Sequence, residues 1–354
     1  MRATQVGAGF ADRAELFKLL SAFVATEFIN RHAFTPFRNI HLKITPSSAG
    51  TSRAPVARNK ELHVRFCINY TLLDRGGRSA VSTASLGWQQ VRAGSLVYFD
   101  IRFPAQRVTA VFSTRLGGVS RGAYAELNLG FHVGDDPGAV LANRRTLLKS
   151  IGFNIDDLVC AEQVHAAGVK LVGSNERGRG ARSEKDALTG TDGMVTGIPG
   201  VVLGAFFADC VPVFLADVRG QCIGLVHAGW RGTVARIVKT AIDVMCSAYH
   251  LSPASIAVVI GPAIGRCCYE VGNEVAAPVR DAGLHSFIEQ VAPGKWRFGL
   301  AEANRQILLA SGVAPQLIRI MPFCTACNGE IFYSHRGTGG RTGRMGAFMA
   351  LKAG

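Results

Sequence analysis

Val201-Val202-Leu203-Gly204-Ala205-Phe206-Phe207-Ala208-Asp209-Cys210-Val211-Pro212-Val213-Phe214-Leu215-Ala216 is the stretch that decides the fold. Two apolar runs, 201–207 and 211–216, are separated only by Ala208-Asp209-Cys210. Short apolar runs without polar alternation read as strands buried on both faces. A third such run, 222–226, follows. The clearest helix of the chain comes next, over 233–250, with Ile237, Val238, Ala241, Ile242, Met245 and Ala248 on one face. Outward toward the N-terminus, 108–113 and 96–102 read as strands. Residues 135–152 read as a helix opened by Asp135 and Asp136 and stopped by Gly152. Toward the C-terminus, 256–260 reads as a strand and 273–282 and 300–311 as helices. Strands and helices mix without a regular βαβ alternation, which favours an α+β or mixed-sheet fold over a Rossmann wind.

Composition narrows the function classes. With 48% hydrophobic and 18% charged residues, the 354-residue chain can bury a sizeable core. A net charge of +14 invites a nucleic-acid partner. Residues 1–96, however, carry +8 of that excess, leaving +6 for the remaining 258 residues, so the body is expected to bind no nucleic acid. The longest stretch without Asp, Glu, Lys or Arg, 244–265, contains His250, Pro253 and Pro262 and does not read as a membrane span. Nine cysteines, an odd number with two adjacent, fit thiols in a reducing cytoplasm better than a disulfide framework. Residues 1–96 are Arg- and Ser-rich and poor in acids, formally like a transit peptide, and no methionine stands between Met1 and Met194. We expect 1–96 to be a poorly structured extension, upstream of the true start, and 97–354 to be the domain.

Three residues that could carry chemistry lie at sharp punctuation: His165, Cys210 and His227. Two imidazoles and a thiolate suit a Zn²⁺ site with one position left open. Their spacings of 45 and 17 residues match no zinc-finger pattern. The same residues suit a hydrolase, with Cys210 as nucleophile, His227 as base and Asp209 or Asn128 orienting it. Cys324-Thr325-Ala326-Cys327 lacks a second CxxC, which the adjacent Cys267-Cys268 does not supply, so it reads as a buried turn. Gly118-Val119-Ser120-Arg121-Gly122 formally fits a nucleophile elbow, but a loop follows it where that motif requires a helix. Arg115 and Arg231 sit in glycine turns and, with the basic loop 337–344, are anion candidates.

Taken together, TRLGGVS (114–120), LNLGFHVGDD (127–136), NRRTLL (143–148), QVH (163–165), TDGMVT (191–196), ADCVPV (208–213), HAGWRGT (227–233), GPAIGRCCYEVG (261–272) and FYSHRGTGGRTGR (332–344) resemble the YfiH-like laccase-domain family. The likeness runs in order over 97–354, departing in the tail, where the family usually reads FYSYRR. It implies a four-layer α/β/β/α sandwich with mixed sheets. It also implies metal ligands at His165, Cys210 and His227, holding Zn²⁺ or alternatively copper. The implied activity is phosphorolysis of adenosine, inosine, guanosine and S-methyl-5'-thioadenosine, with adenosine deamination. Purine nucleosides and phosphate are then the partners, and Arg115, Arg231, Asn128 and Gln163 the expected substrate- and phosphate-binding residues of a monomer or small homo-oligomer. A copper polyphenol oxidase fits less well, because the chain has nine histidines and no H-x-H.

Overall fold

The computed structural model describes residues 86–353. Fifteen strands are found there. In chain order they are β1 (Gly87–Ala93), β2 (Leu96–Arg102), β3 (Val108–Ser113), β4 (Leu158–Cys160), β5 (Val169–Leu171), β6 (Gly193–Thr196), β7 (Val202–Phe207) and β8 (Val211–Asp217). They continue as β9 (Ile223–Ala228), β10 (Ile256–Ile260), β11 (Glu270–Val271), β12 (Ile288–Ala292), β13 (Lys295–Phe298), β14 (Ile318–Ile320) and β15 (Met345–Leu351). The α-helices are α1 (Pro137–Ser150), α2 (Trp230–Val234), α3 (Ile237–Tyr249), α4 (Asn273–Asp281) and α5 (Leu300–Ala310).

Two six-stranded mixed sheets, ordered β1-β2-β3-β15-β7-β4 and β14-β10-β8-β9-β6-β5, form the centre. Side chains alternate between two buried environments. Phe99, Ile101, Phe112, Leu203 and Phe207 from the first sheet pack with Phe214, Leu225 and Val259 from the second. On the outer face of the first sheet, Tyr98, Val111, Val202 and Phe206 join Leu147 and Leu148 of α1. On the outer face of the second, Val213, Leu215, Val226 and Val258 join Ile237, Ala241 and Met245 of α3 and Ile307 of α5. Helix, sheet, sheet and helix are therefore stacked in four layers, as the resemblance implied. Burial on both faces explains why the central strands are apolar throughout even though most pairs are antiparallel.

The first 85 residues of the expected extension lie outside the described residues. Gly87–Ala93 does not share that status: β1 pairs along its whole length with β2, from Gly87 opposite Arg102 to Ala93 opposite Leu96. The change in composition at Leu96 thus falls inside a hairpin rather than ahead of the first strand. The helix expected over 233–250 is two helices. The chain leaves α2 and turns at Arg236, whose φ of +59° is left-handed, before α3 begins.

Between β7 and β8 the polypeptide passes from one sheet to the other, and Ala208-Asp209-Cys210 is that passage. Asp209 sits at φ +91° and is held from three sides. Its carboxylate accepts from Thr325 Oγ1 at 2.6 Å and from the Arg336 backbone N–H at 2.7 Å, and its carbonyl accepts from Ile264 N–H at 2.9 Å. A left-handed non-glycine residue persists where the surroundings over-determine it.

Candidate metal centre

Cys210 and His227 meet because β8 and β9 form a hairpin. Val211 lies opposite Ala228 and Pro212 opposite His227, so the 17-residue separation closes across one antiparallel pair. His165 arrives by another route. Gln163 N–H bonds to Thr191 O at 3.0 Å, and the next strand, β6, pairs with β9. Gln163 and His165 both take positive φ, +60° and +61°, which turns the loop sharply enough to bring the second imidazole in. The ligand atoms of His165, Cys210 and His227 lie within 4.8 Å of one another, and the two imidazole rings meet edge to face at 4.8 Å.

Asp192 organises this group, and the sequence reading did not single it out. Its Oδ1 contacts His227 Nδ1 at 2.9 Å and accepts from the His165 backbone N–H at 3.0 Å. Its Oδ2 accepts from Ala166 N–H at 2.8 Å, and its own carbonyl accepts from His227 N–H at 2.7 Å. One carboxylate therefore fixes the His227 ring and the backbone that carries His165. With Nδ1 engaged, Nε2 of His227 is the nitrogen left for the site, the usual outer-shell arrangement behind a ligating histidine. The signal available in the sequence was position alone: Asp192 opens the run that becomes β6.

Burial alone would raise the Cys210 thiol, but His227 beside it, with hydrogen bonds from both histidines, brings it down to about 6. Burial would lower His227, but Cys210 and Asp192 raise it to about 9. The group therefore favours a thiolate, the form that ligates metal. Gly229, directly after β9, leaves the room. A Cβ there would stand 3.0 Å from His165 Cδ2 and 3.3 Å from Cys210 Sγ. Two imidazoles, one thiolate and an outer carboxylate fit a zinc ion well.

The other expected site residues are placed differently. Asp209 does not orient His227, since its carboxylate is spent on Thr325 and Arg336. Asn128 is fully buried and uses its whole hydrogen-bonding capacity internally: Nδ2 donates to Gly130 O and Asp135 Oδ2, and Oδ1 accepts from Gly130 N–H and Arg344 N–H. Gln163 clamps β7 through two 2.8 Å bonds to the Phe206 backbone. Arg115 donates to Ala125 O twice and to Gly329 O, and lies over the Tyr333 ring. Ser120 of the elbow-like motif donates to Asp135 at 2.6 Å. Arg231 instead lies exposed over the Trp230 ring. Trp230, Arg231, Tyr269, Lys295 and Arg336 line a cleft of about 510 Å³, together with Glu270 and Glu274; His165, Cys210 and His227 do not line it, but Trp230 and Arg231 follow closely after His227 in the chain. Lys295 is paired with Glu270 at 3.2 Å, and Arg336 Nη1 donates to the Glu270 carbonyl, while Arg231 extends over the Trp230 ring.

Residues 109–352 match the family model described as multi-copper polyphenol oxidoreductase laccase. The chain belongs to the YfiH-like laccase-domain family. Within the family it is 41% identical over 254 residues to purine nucleoside phosphorylase YlmD of Geobacillus stearothermophilus, an overlap of 70% of this chain and 92% of that protein. It is 37% identical over 237 residues to adenosine deaminase RL5 of an unknown prokaryotic organism, covering 66% of this chain and 90% of the relative. The crystal structure of YlmD from Geobacillus stearothermophilus aligns with a TM-score of 0.70 at 38% identity, over 75% of this chain and 99% of that one. The "multi-copper" description finds little support in the donor set: among the described residues, only one His-containing cluster could hold a metal. No helix among them is long and apolar enough to cross a membrane.

Proposed function

We propose that this chain is a zinc-dependent, cytoplasmic purine nucleoside phosphorylase acting on adenosine, inosine, guanosine and S-methyl-5'-thioadenosine, with an accompanying adenosine deaminase activity. The observation behind this reading is the convergence of His165, Cys210 and His227 in front of Asp192; the chain continues from His227 to Trp230 and Arg231, which line a cleft with arginines and aromatic rings. His165, Cys210 and His227 would hold the ion. When bound, zinc supplies Lewis-acid stabilisation of negative charge on a substrate oxygen.

The residues of the chain do the rest. Asp192 keeps the His227 ring and the His165 loop in the ligating arrangement, so little reorganisation is needed when substrate arrives. Trp230 and Tyr269 present apolar surface suited to a purine. Arg231, with Arg336 across the cleft, offers a planar fork to phosphate oxygens and draws the anion toward the sugar. Phosphorolysis joins a phosphate oxygen to the anomeric carbon as the bond from that carbon to the purine nitrogen breaks. Holding both reactants in one cleft lowers the entropic part of that barrier.

The order Cys210–His227–Asp192 is also that of a thiol hydrolase with an oriented base. Chelation separates the two readings. The phosphorylase requires phosphate and bound zinc to release free base from inosine or adenosine. Undiminished turnover after complete zinc removal would overturn it in favour of the hydrolase.

A further inference from the structure

A second group of potential ligands lies outside the site just described. Cys267 and Cys268 precede β11, and Cys324 and Cys327 lie between β14 and β15. Their sulfur atoms all fall within 4.8 Å of one another, with Cys267 and Cys268 3.6 Å and 3.4 Å from Cys327. The turn at 324–327, expected to be buried and unrelated to Cys267-Cys268, is only partly buried and faces that pair. They meet because Ala263 and Cys324 form a parallel bridge, reinforced by Thr325 N–H bonding to Ala263 O at 3.0 Å.

We propose that Cys267, Cys268, Cys324 and Cys327 form a structural tetrathiolate site for a single Zn²⁺ ion. A zinc–sulfur distance of about 2.3 Å places tetrahedral ligand sulfurs about 3.8 Å apart, within the spread found here. A polynuclear iron–sulfur core interposes several atoms between its cysteines and needs a wider spread. A disulfide requires sulfurs about 2.05 Å apart, far closer than these pairs. The Gly265 N–H donates to Cys324 Sγ at 3.2 Å, holding that sulfur toward the other three. Gly265 further leaves space for the group, since a Cβ there would stand 3.2 Å from Cys267 Sγ and 3.5 Å from Cys324 Sγ. Four protein ligands close the coordination sphere, which marks a structural rather than a catalytic ion.

The location gives the ion a task. The two segments it would join are the ones that hold Asp209, through Thr325 Oγ1 and Ile264 N–H, and Asp209 directly precedes Cys210. The staple would thus keep the crossing between the sheets in place. It does not depend on which reaction the neighbouring site performs.

Metal analysis of the full chain tests the proposal. Wild type should hold two zinc ions per chain, and Cys210→Ala and the double variant Cys324→Ser/Cys327→Ser one each. Cobalt-loaded Cys210→Ala should show the intense near-ultraviolet and visible absorption of tetrahedral thiolate coordination. Should the double variant fail to fold, titration of Cys210→Ala with a thiol reagent still decides: four cysteines should react only as its one zinc ion is released. One zinc per chain in wild type and none in Cys210→Ala would overturn the proposal. So would iron in place of zinc, or a disulfide joining the two segments in protein purified without oxidant.

Discussion

The two cysteine-containing clusters are built on opposite plans. Cys210 stands just ahead of β8, His227 near the end of β9 and His165 in the loop between β4 and β5, with the Asp192 carboxylate behind His227 and under the His165 backbone. The four-cysteine group is built from two loops, with the Gly265 N–H donating to Cys324 Sγ. Three ligands of mixed type leave a position for chemistry, whereas four of one type do not. The electrostatics diverge as well. Histidines hold the Cys210 thiol down at about 6, while burial and the neighbouring Cys324 push Cys267 up to about 12. A cysteine acquires its role here from what faces it, and spacing along the chain says little about that.

The largest effect should come from exchanging the defects. Cys210→Ala should cut phosphorolysis by about 10³-fold or more, the several kcal/mol that a catalytic metal provides, with little change in thermal stability. Cys324→Ser should do the reverse, lowering the melting temperature while metal stays at the His₂Cys site. Parallel melting curves and initial rates would break the contrast if both variants lost activity and stability together.

Asp192→Asn comes next. It retains all three ligands yet replaces the acceptor behind them, and outer-shell changes of this kind cost roughly 10- to 100-fold in metal affinity or activity. Competition with a chromophoric chelator measures it, and the tetrathiolate ion should be unaffected in the same sample.

A smaller, more selective effect separates the two arginines. Arg231→Lys keeps the charge but loses the fork, and should raise the KM for phosphate by about tenfold, the worth of one charged hydrogen bond. Arg115→Lys loses its bonds to Ala125 O and Gly329 O and should instead lower stability by about 1–3 kcal/mol. Steady-state kinetics on phosphate and chemical unfolding of both variants would expose a reversed assignment.

The subtlest test is pH dependence. In chelated protein, a lowered thiol is reactive above its folded value, so alkylation of Cys210 should rise through about pH 6. Cys267 should stay slow until far more alkaline conditions. Peptide mapping of iodoacetamide adducts reads both, and equal rates at neutral pH would remove the electrostatic part of the contrast.

Much of the fold is legible in the residues alone. The apolar runs around Asp209 announce strands buried on both faces, and the stripe from Ile237 to Met245 announces the helix that covers them, because burial and period are local properties. Cys210 and His227 were legible as candidates, since each stands at the edge of a buried run; His165 instead lies exposed in the loop between β4 and β5. Tertiary structure alone decided the rest, because hydrogen-bond geometry and packing join residues far apart in the chain. It made Asp192, instead of Asp209 or Asn128, the group that orients His227, tied Asn128 to Gly130, Arg344 and Asp135 and Gln163 to the Phe206 backbone, and turned the helix at Arg236. It also brought Cys267 and Cys268 to Cys324 and Cys327 through a single backbone bridge at Ala263, a juxtaposition that carries no periodic or spacing signal.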